Sequence, residues 1–248
     1  MTAKERIDKL LVAGGHSETR TKAQALVMAG VVLVGEKRVE KPSETFSPDA
    51  VIRIKGETPE ARYVGRGGLK LEKALAEFAI NPADYYCLDV GSSTGGFTDC
   101  LLRHGAARVV AVDAGTNQLV WALRTDERVD VRENTNAREL KPEDFDALFD
   151  LIVMDVSFIS ATKILPALVP LLTPHGRIIV LIKPQFEVGR GEVGKGGIVK
   201  DPEKHARVVH EVSEFAAKCG LVCLNTIESP IFGAGGNKEF LALYERQP

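Results

Sequence analysis

Short apolar runs alternate with helical patterns along this chain from residue 63 onward. Runs of strand length, such as YYCLDV, RVVAV, DLIVMDV and GRIIVLI, are separated by segments in which apolar residues have helical spacing. A strand–helix–strand order needs crossover connections, which favour parallel strands with helices on both faces of the sheet. The last two runs, LVCLNTIESPI and EFLALYER, are joined by a short glycine-rich loop, which predicts an antiparallel hairpin at the sheet edge.

The first 60 residues follow a different pattern, with two short helices and then short strands. ERIDKLLVAGG and SETRTKAQALVMAG have helical spacing, and the second ends at Gly30, a residue typical of helix C-termini. VVLVGEKRV predicts a hairpin and AVIRIKG a final strand, while proline and charges at residues 57–64 indicate a linker. We therefore expect a small α+β domain over residues 1–60 and an α/β domain over residues 61–248.

The composition excludes several classes of protein. Of 248 residues, 44% are hydrophobic and 27% are charged, as in ordinary soluble globular proteins. There is no apolar run of membrane-spanning length and no N-terminal signal peptide, so we expect a cytoplasmic protein without a membrane partner. The formal net charge is −2, so a nucleic-acid-binding surface must come from local clusters of cations. The four cysteines lack zinc-binding spacing, and we expect no metal site.

The segment CLDVGSSTGGFTDCLL has the pattern of a ligand-binding loop. An apolar strand ends at Asp89, a glycine-rich turn follows, and a helix begins near Phe97. Glycines let the backbone approach a ligand, and open α/β sheets bind ligands beyond the carboxyl ends of their strands. Asp113 ends the next strand, in the position of a carboxylate that accepts hydrogen bonds from ribose hydroxyls.

The kind of ligand follows from the glycine spacing. The turn lacks the GxGxxG pattern, which disfavours a dinucleotide-dependent oxidoreductase and favours a nucleoside with a short amino-acid tail. The alternative is an ordinary strand-to-helix turn followed by an acid that binds nothing. The predicted ligand-binding residues are Asp89, Gly91, Ser92, Ser93, Thr94, Gly95, Gly96, Phe97 and Asp113.

Four charged residues lie where a solvated surface would not place them. Asp155 and Lys183 end two strongly apolar strands that are consecutive in the sequence. Lys70 lies in GRGGLKLEKAL, and Glu239 lies at the start of the last strand. Such charges are unfavourable unless they are paired, and neighbouring strands would bring Asp155 and Lys183 together. The alternative for each lysine alone is a salt-bridged or solvated surface side chain.

Taken together, these segments resemble the FtsJ-like RNA 2′-O-methyltransferases. More closely, they resemble the TlyA, or hemolysin A, family, in which an S4 RNA-binding domain precedes such a methyltransferase. The matching motifs cover nearly the whole chain and include DVGSSTGGFTDCLL, VDAGTNQL, ENTNAR, MDVSFIS, IKPQFE, GKGGIVKD and GNKEFL. The resemblance implies an α/β, Rossmann-like methyltransferase domain with a mostly parallel seven-stranded sheet and an antiparallel last strand, after a small α+β S4-like domain.

The resemblance also implies a reaction, in which S-adenosylmethionine methylates the ribose 2′-hydroxyl of a cytidine in ribosomal RNA. Its catalytic tetrad carries over onto Lys70, Asp155, Lys183 and Glu239. Lys183 would accept the hydroxyl proton or orient the oxygen, while Asp155 orients Lys183. The family's contacts with the cofactor carry over onto the Gly91–Phe97 loop and Asp113, and Asp155 borders the same site. By position, Asn134 and Asn136 are expected near the adenosine.

The first domain resembles S4 domains in its Arg6-Ile7-Asp8 and Thr19–Gln24 segments. The expected role is recognition of the RNA backbone, with ribosomal RNA or ribosomal subunits as partners. Six cations are predicted to bind RNA, and the alternative for any one of them is an ordinary surface cation: Arg6, Arg20, Lys22, Lys37, Arg38 and Arg66.

Two other functions fit parts of the same resemblance. One is a membrane-active hemolysin, which the absence of an apolar span and of a strongly basic amphipathic helix disfavours. The other is a non-catalytic RNA-binding or ribosome assembly factor, which would not need an intact tetrad. The sequence pattern does not indicate an oligomeric state.

Overall fold

The computed structural model describes residues 4–17, 19–28, 30–54, 62–189 and 191–247, and the chain divides into two compact units, Met1–Arg62 and Tyr63–Pro248. Most of the predicted linker, residues 57–64, lies outside the described residues. Within the described part of the chain, no helix is long and apolar enough to cross a membrane.

The first unit contains two helices and two small sheets. Its elements are β1 (Glu5–Arg6), α1 (Ile7–Ala13), α2 (Arg20–Met28), β2 (Val32–Val34), β3 (Lys37–Arg38), β4 (Thr45–Phe46) and β5 (Ile52–Ile54). The predicted hairpin is confirmed, because β2 pairs antiparallel with β3, and β5 pairs along the other edge of β2. The first helix begins later than predicted, because Glu5 and Arg6 are extended and pair with β4. Ile7, Leu11 and Val27 belong to the small core of this unit.

The second unit is built on one seven-stranded sheet. Its strands are β6 (Tyr86–Val90), β7 (Arg108–Val112), β8 (Val129–Arg132), β9 (Phe149–Met154), β10 (Leu172–Ile182), β11 (Leu221–Glu228) and β12 (Phe240–Arg246). Their order across the sheet is β11-β12-β10-β9-β6-β7-β8. The strands from β10 to β8 pair in parallel, whereas β12 is antiparallel to both of its neighbours. The predicted sheet, with its antiparallel last strand and edge hairpin, is confirmed.

Helices cover both faces of this sheet, which explains why its central strands read as continuous apolar runs. The helices are α3 (Gly67–Glu77), α4 (Gly96–Arg103), α5 (Trp121–Arg124), α6 (Leu165–Leu168), α7 (Pro184–Glu187) and α8 (Pro202–Lys218). Leu151 and Val153 of β9 pack into the core that contains residues of α3 and α4. Ile152 and Met154 of the same strand pack into the core that contains residues of α6 and α8.

One predicted helix is much shorter than its sequence pattern. The QLVWALR segment is helical only over Trp121–Arg124. The Glu133 carboxylate accepts hydrogen bonds from the backbone N–H groups of Asn117 (2.7 Å), Gln118 (2.7 Å) and Leu119 (3.1 Å). These bonds hold the preceding residues in a loop, so the helix starts only after it.

The strand order determines which loops meet at one edge of the sheet. Strand β9 lies between β6 and β10, and all three run in parallel. The residues that follow Val90, Met154 and Ile182 therefore emerge at the same edge. Strand β12 runs the other way, and Ile182 pairs with Phe240, so the start of β12 lies beside the end of β10.

Candidate active site

A cavity of about 550 Å³ opens in the second unit at the carboxyl ends of β6, β9 and β10. Part of its wall is the glycine-rich loop that links β6 to α4. All four residues of the predicted catalytic tetrad also line it. The predicted site residues in the wall are Lys70, Gly91, Ser92, Ser93, Thr94, Gly96, Phe97, Asp155, Lys183 and Glu239, together with Arg66.

The tetrad forms a row of alternating charges. Glu239 Oε2 accepts a hydrogen bond from Lys70 Nζ at 2.6 Å. The same Nζ lies 3.9 Å from Asp155 Oδ2, and Asp155 Oδ1 lies 2.5 Å from Lys183 Nζ. Each cation therefore has at least one carboxylate partner, and Asp155 lies between the two lysines.

Burial makes this pairing necessary. The side chains of Lys70, Lys183 and Glu239 are only 8%, 9% and 2% exposed, and that of Asp155 is 20% exposed. A buried ammonium or carboxylate is strongly unfavourable without an opposite charge and hydrogen bonds. The row is therefore an interdependent group, in which removing one member leaves another buried charge unpaired.

Local structure explains why these four side chains meet. Asp155 follows β9 directly and Lys183 follows β10 directly, and Val180 of β10 pairs with Met154 of β9. Glu239 precedes β12, whose first residue pairs with the last residue of β10. Lys70 lies in the first turns of α3, which approaches the glycine loop closely. Thus α3 and β10 each bring one lysine to Asp155, and the residue before β12 brings Glu239 to Lys70.

Two glycines make this close packing possible. Gly91 has a φ of 82°, and a Cβ atom there would lie 2.5 Å from the carbonyl oxygen of Asp155. A Cβ on Gly96 would lie 2.9 Å from the backbone oxygen of Gly65 and 2.9 Å from the nitrogen of Gly68. Any larger residue would push the loop away from Asp155 or α4 away from the start of α3.

Asp89 lies beneath the glycine loop and has no solvent exposure. Its Oδ2 accepts a hydrogen bond from Thr98 Oγ1 at 2.6 Å, whereas Oδ1 has no partner among the described residues. Burial, opposed by the Thr98 bond, raises the pKa of Asp89 to about 7. An unpartnered buried carboxylate oxygen fits a cationic group above it, such as the ammonium of an amino-acid tail.

Asp113 holds the glycine loop through backbone contacts. Its carboxylate accepts hydrogen bonds from the N–H of Ser93 at 2.8 Å and from the N–H of Gly115 at 2.7 Å. It does not line the main cavity, and neither do Asp89 and Gly95. The structure therefore places these three predicted residues around the loop rather than in the cavity wall.

The two predicted asparagines lie at a separate cavity of about 380 Å³. Asn134 donates its backbone N–H to the Gly115 carbonyl, which keeps it beside the Asp113 segment. The Asn136 side chain accepts from Arg138 N–H and donates to Glu139 at 2.6 Å, capping a short 3-10 turn. The structure does not bring either side chain into the main cavity.

Sequence reasoning missed several residues of the cavity wall. Ser157 is the most informative, because its Oγ accepts a hydrogen bond from Lys183 Nζ at 2.8 Å. Its position two residues after Asp155, in the same motif, was the available signal. The other wall residues that the prediction did not name are Gly65, Gly67, Phe158, Gln185, Phe186, Gly196, Gly197, Gly235 and Asn237.

In the first unit, a buried carboxylate organises two predicted RNA-binding cations. Asp8 is fully buried and accepts from Arg6 Nε at 3.0 Å, Arg6 Nη2 at 2.9 Å and Arg20 Nε at 3.0 Å. Gln24 Nε2 donates to the same carboxylate at 2.9 Å. These hydrogen bonds, chiefly that from Arg6, hold the pKa of Asp8 well below its usual range. Asp8 belongs to the Arg6-Ile7-Asp8 segment that resembles S4 domains, but its role in holding these cations was not predicted.

The other predicted RNA-binding cations are spread over both units. Lys37 forms an exposed ion pair with Glu44 at 3.1 Å, and the guanidinium of Arg38 packs against Gly30. Lys22 is exposed in the first turn of α2. Arg66 belongs to the second unit, where it lines the main cavity. No group of three or more His, Cys, Asp or Glu side chains suited to a metal ion is present in the described ranges.

Comparisons with known proteins agree with both units. The sequence model of the FtsJ-like methyltransferase family matches residues 63–246, and that of the S4 domain matches residues 5–52. The 16S/23S rRNA (cytidine-2′-O)-methyltransferase TlyA of Mycobacterium tuberculosis is 44% identical over 240 residues, covering 97% of this chain and 89% of the relative. Hemolysin A of Brachyspira hyodysenteriae is 43% identical over 238 residues, covering 96% of this chain and 98% of the relative.

A solved structure of a candidate hemolysin from Streptococcus thermophilus has a TM-score of 0.75 and 46% identity, covering 100% of this chain and 90% of that one. The predicted resemblance, the methyltransferase activity and S-adenosylmethionine as its cofactor are confirmed at the level of the family. The chain belongs to the FtsJ-like methyltransferases, as a TlyA-type member in which an S4 domain precedes the methyltransferase domain.

Proposed function

We propose that this protein transfers a methyl group from S-adenosylmethionine to the ribose 2′-hydroxyl of a cytidine in ribosomal RNA. The observation that carries the proposal is the row Glu239–Lys70–Asp155–Lys183, which shares one cavity with the glycine loop between β6 and α4. Methyl transfer between a bound cofactor and a hydroxyl needs these two features side by side.

The cofactor is proposed to lie along the glycine loop. Gly91 and Gly96 let the loop pack closely against Asp155 and the start of α3, and Asp89 Oδ1 is an unpartnered acceptor suited to the methionine ammonium. Asp113 is proposed to act on the ribose of the cofactor, and its bonds to Ser93 and Gly115 keep it at this loop. Asn134 and Asn136 are proposed nearer the adenosine. When bound, S-adenosylmethionine supplies a methyl group activated by its sulfonium.

The tetrad is proposed to prepare the hydroxyl for in-line attack. Lys183 contacts the hydroxyl: as a neutral amine it accepts the hydroxyl proton, and as an ammonium it holds the oxygen in line with the methyl group. Asp155, at 2.5 Å, orients Lys183, and the Lys70–Glu239 pair keeps Asp155 in place from the other side. A largely buried site also limits water, which strengthens each of these electrostatic contacts.

The S4 unit is proposed to supply affinity for folded ribosomal RNA. Arg6 and Arg20 are fixed by Asp8 but keep side chains that are 37% and 50% exposed, so their outer N–H groups can reach phosphates. The named activity of the Mycobacterium tuberculosis relative supports 16S and 23S ribosomal RNA as candidate substrates. Ribosomal subunits as partners would make the protein cytoplasmic.

The proposal is tested by tritium transfer from labelled S-adenosylmethionine to separated ribosomal subunits and to naked ribosomal RNA. Wild-type protein is expected to label a cytidine 2′-oxygen. Lys183→Ala is expected to lower the rate about a thousandfold while cofactor affinity, measured by calorimetry, stays near that of the wild type. Lys218→Ala, on the exposed end of α8, is the matched control and is expected to retain the wild-type rate.

Three outcomes would contradict parts of this proposal. Label on a base instead of a ribose would remove the 2′-O assignment. Full turnover by Lys183→Ala would remove the role of the tetrad. Cofactor binding without label on any RNA would favour the alternative of a non-catalytic RNA-binding or assembly factor.

A further inference from the structure

A second contact joins the two segments that carry Asp155 and Lys183. Glu187, on α7 four residues after Lys183, reaches across to the segment that follows β9. Its Oε2 accepts a hydrogen bond from Ser160 Oγ at 2.5 Å, and its Oε1 accepts the N–H of Ala161 at 2.7 Å. Residues 155–161 are therefore fixed at both ends, by Lys183 near Asp155 and by Glu187 near Ser160.

The Glu187 carboxylate is held in an unfavourable environment for a charge. Burial raises its pKa, and the hydrogen bonds from Ser160 and Ala161 only partly oppose this effect. A carboxylate removed from water needs specific donors, and the segment after β9 supplies both of the donors seen at Glu187. The contact is thus specific to this segment, unlike an exposed surface ion pair.

The segment held by Glu187 has a conformation that needs support. Phe158 has a φ of 66°, in the left-handed region that aromatic residues rarely adopt. Such a backbone persists only where surrounding contacts determine it. The Lys183–Ser157 bond precedes Phe158, the Glu187–Ser160 bond follows it, and the Phe158 and Phe186 ring centroids lie 5.2 Å apart.

The conformation of this segment determines the orientation of Lys183. A lysine ammonium has three N–H donors. The Lys183 nitrogen contacts Asp155 Oδ1 at 2.5 Å and donates a hydrogen bond to Ser157 Oγ at 2.8 Å. Both of these acceptors lie on the segment held by Glu187. These two bonds leave one direction of the Lys183 nitrogen for a reacting hydroxyl. A shift of Ser157 would rotate that direction without removing Lys183.

We propose that Glu187 is a positioning residue for methyl transfer, which acts through Ser160 and Ser157 to aim the Lys183 nitrogen at the acceptor hydroxyl. This inference rests on the proposed function, because it assumes that Lys183 contacts that hydroxyl. Neither Glu187 nor Ser160 lines the cavity, so their effect on the rate is indirect.

The test is a double-mutant cycle on the full-length protein, with single-turnover methyl transfer at saturating cofactor. Glu187→Ala is expected to lower the rate about tenfold to a hundredfold, with cofactor affinity within about twofold of the wild type. In a Ser157→Ala background, the same substitution is expected to lower the rate at most about threefold further, because the two residues act on one bond. Glu214→Ala, exposed on α8, is the matched control.

Two further variants separate positioning from folding. Glu187→Gln keeps an acceptor for the Ala161 N–H and offers its amide to Ser160, so it is expected to recover most of the rate. Ser160→Ala leaves the Glu187 carboxylate and its hydrogen bond from the Ala161 N–H in place. If Glu187→Ala fails to fold, the double-mutant cycle with Ser157→Ala is measured with Ser160→Ala instead. Thermal unfolding midpoints of all variants are measured in parallel.

The outcomes are distinct. A wild-type rate in Glu187→Ala and Ser160→Ala, or an equal loss in the wild-type and Ser157→Ala backgrounds, would overturn the positioning role. In that event the wild type still labels RNA and the proposed function stands. Absence of label from the wild type itself would instead be a failure of the proposed function.

Discussion

Each unit of this protein contains a carboxylate between two cations, but the two groups differ in which members are exposed to solvent. In the first unit, Asp8 is fully buried, and Arg6 and Arg20 are 37% and 50% exposed. In the second unit, Lys70 and Lys183 are 8% and 9% exposed, and Asp155 between them is 20% exposed. The same three charges therefore present guanidinium groups to solvent in one unit and enclose two amines in the other.

The difference follows from the chemistry of the cations. A guanidinium has five donors in a fixed plane, so it can satisfy a buried carboxylate with two of them and keep others for a phosphate. A lysine ammonium is a compact charge that is strongly hydrated, and burying it requires a close carboxylate. The first arrangement suits a binding surface, and the second suits a site where one nitrogen must meet one reacting oxygen.

The comparison predicts its largest effect at Asp155. Asp155→Asn keeps the shape of the side chain but removes the negative charge between Lys70 and Lys183, leaving the Lys183 ammonium with weaker acceptors. Single-turnover methyl transfer is expected to fall about a hundredfold to a thousandfold. Asp146→Asn, whose side chain is 81% exposed, is the control. A rate within a few-fold of wild type would mean that Asp155 does not orient Lys183.

The corresponding change in the first unit is expected to affect folding more than chemistry. Asp8→Ala leaves Arg6, Arg20 and Gln24 without their common acceptor, although water can solvate the two exposed arginines. The protection of the first unit's backbone amides against hydrogen exchange is expected to fall by about 1 to 3 kcal/mol. Exchange in the second unit of Asp8→Ala is expected to be unchanged. The control is Asp49→Ala, at an exposed position, in which exchange of both units is expected to match the wild type. Unaltered protection in Asp8→Ala would mean that the buried carboxylate does not stabilise this unit.

The two arginines are expected to have a smaller effect, confined to RNA. Arg20→Ala removes a cation that Asp8 holds at the surface, so affinity for ribosomal RNA is expected to fall about tenfold. The slope of log Kd against log salt concentration is expected to decrease by about 1. Arg53→Ala, which removes an exposed partner of Glu36 in the same unit, is the control. Equal salt slopes for both variants would show that Arg20 does not contact a phosphate.

The sequence predicted part of the tetrad because two of its members, Asp155 and Lys183, end apolar strands. Asp155 and Lys183 follow consecutive strands that proved to be parallel neighbours, so their meeting could be predicted from topology alone. The Lys70–Glu239 contact joins residues 169 positions apart in the chain. No local pattern encodes that pairing: the sequence marked both residues as unusual charges, and the resemblance to a family joined them to Asp155 and Lys183 as a tetrad.

The acceptors around the glycine loop were harder to predict, because a sequence does not reveal which donor a carboxylate will meet. Asp113 has the position of a ribose-binding acid, yet it accepts from the backbone of Ser93 and Gly115. Asn136 caps a 3-10 turn, a use that asparagine often has irrespective of a ligand. Glu187 escaped prediction because a glutamate in a short helix gives no sign of the segment that it will contact.

A third carboxylate, Asp89, has no cation partner among the described residues and so extends the comparison. Its pKa is raised from 3.8 to about 7, so below about pH 7 the free protein holds this group protonated. Because folding raises the pKa, the stability that Asp89 contributes is full below about pH 4 and declines as the pH rises through about 7. The wild type is therefore expected to lose stability over this window relative to Asp89→Asn.

Cofactor binding is expected to have the opposite pH dependence. A methionine ammonium beside Asp89 Oδ1 would favour the ionised carboxyl, so binding releases a proton and affinity rises with pH from about 4 to about 7. Calorimetry is expected to show an increase in affinity of up to about tenfold per pH unit for the wild type, because one proton is released below the pKa of the free carboxyl. Asp89→Asn is expected to bind with an affinity that is flat over the same range. A flat wild-type profile would mean that the ammonium does not lie above Asp89, and that the unpartnered oxygen serves another group.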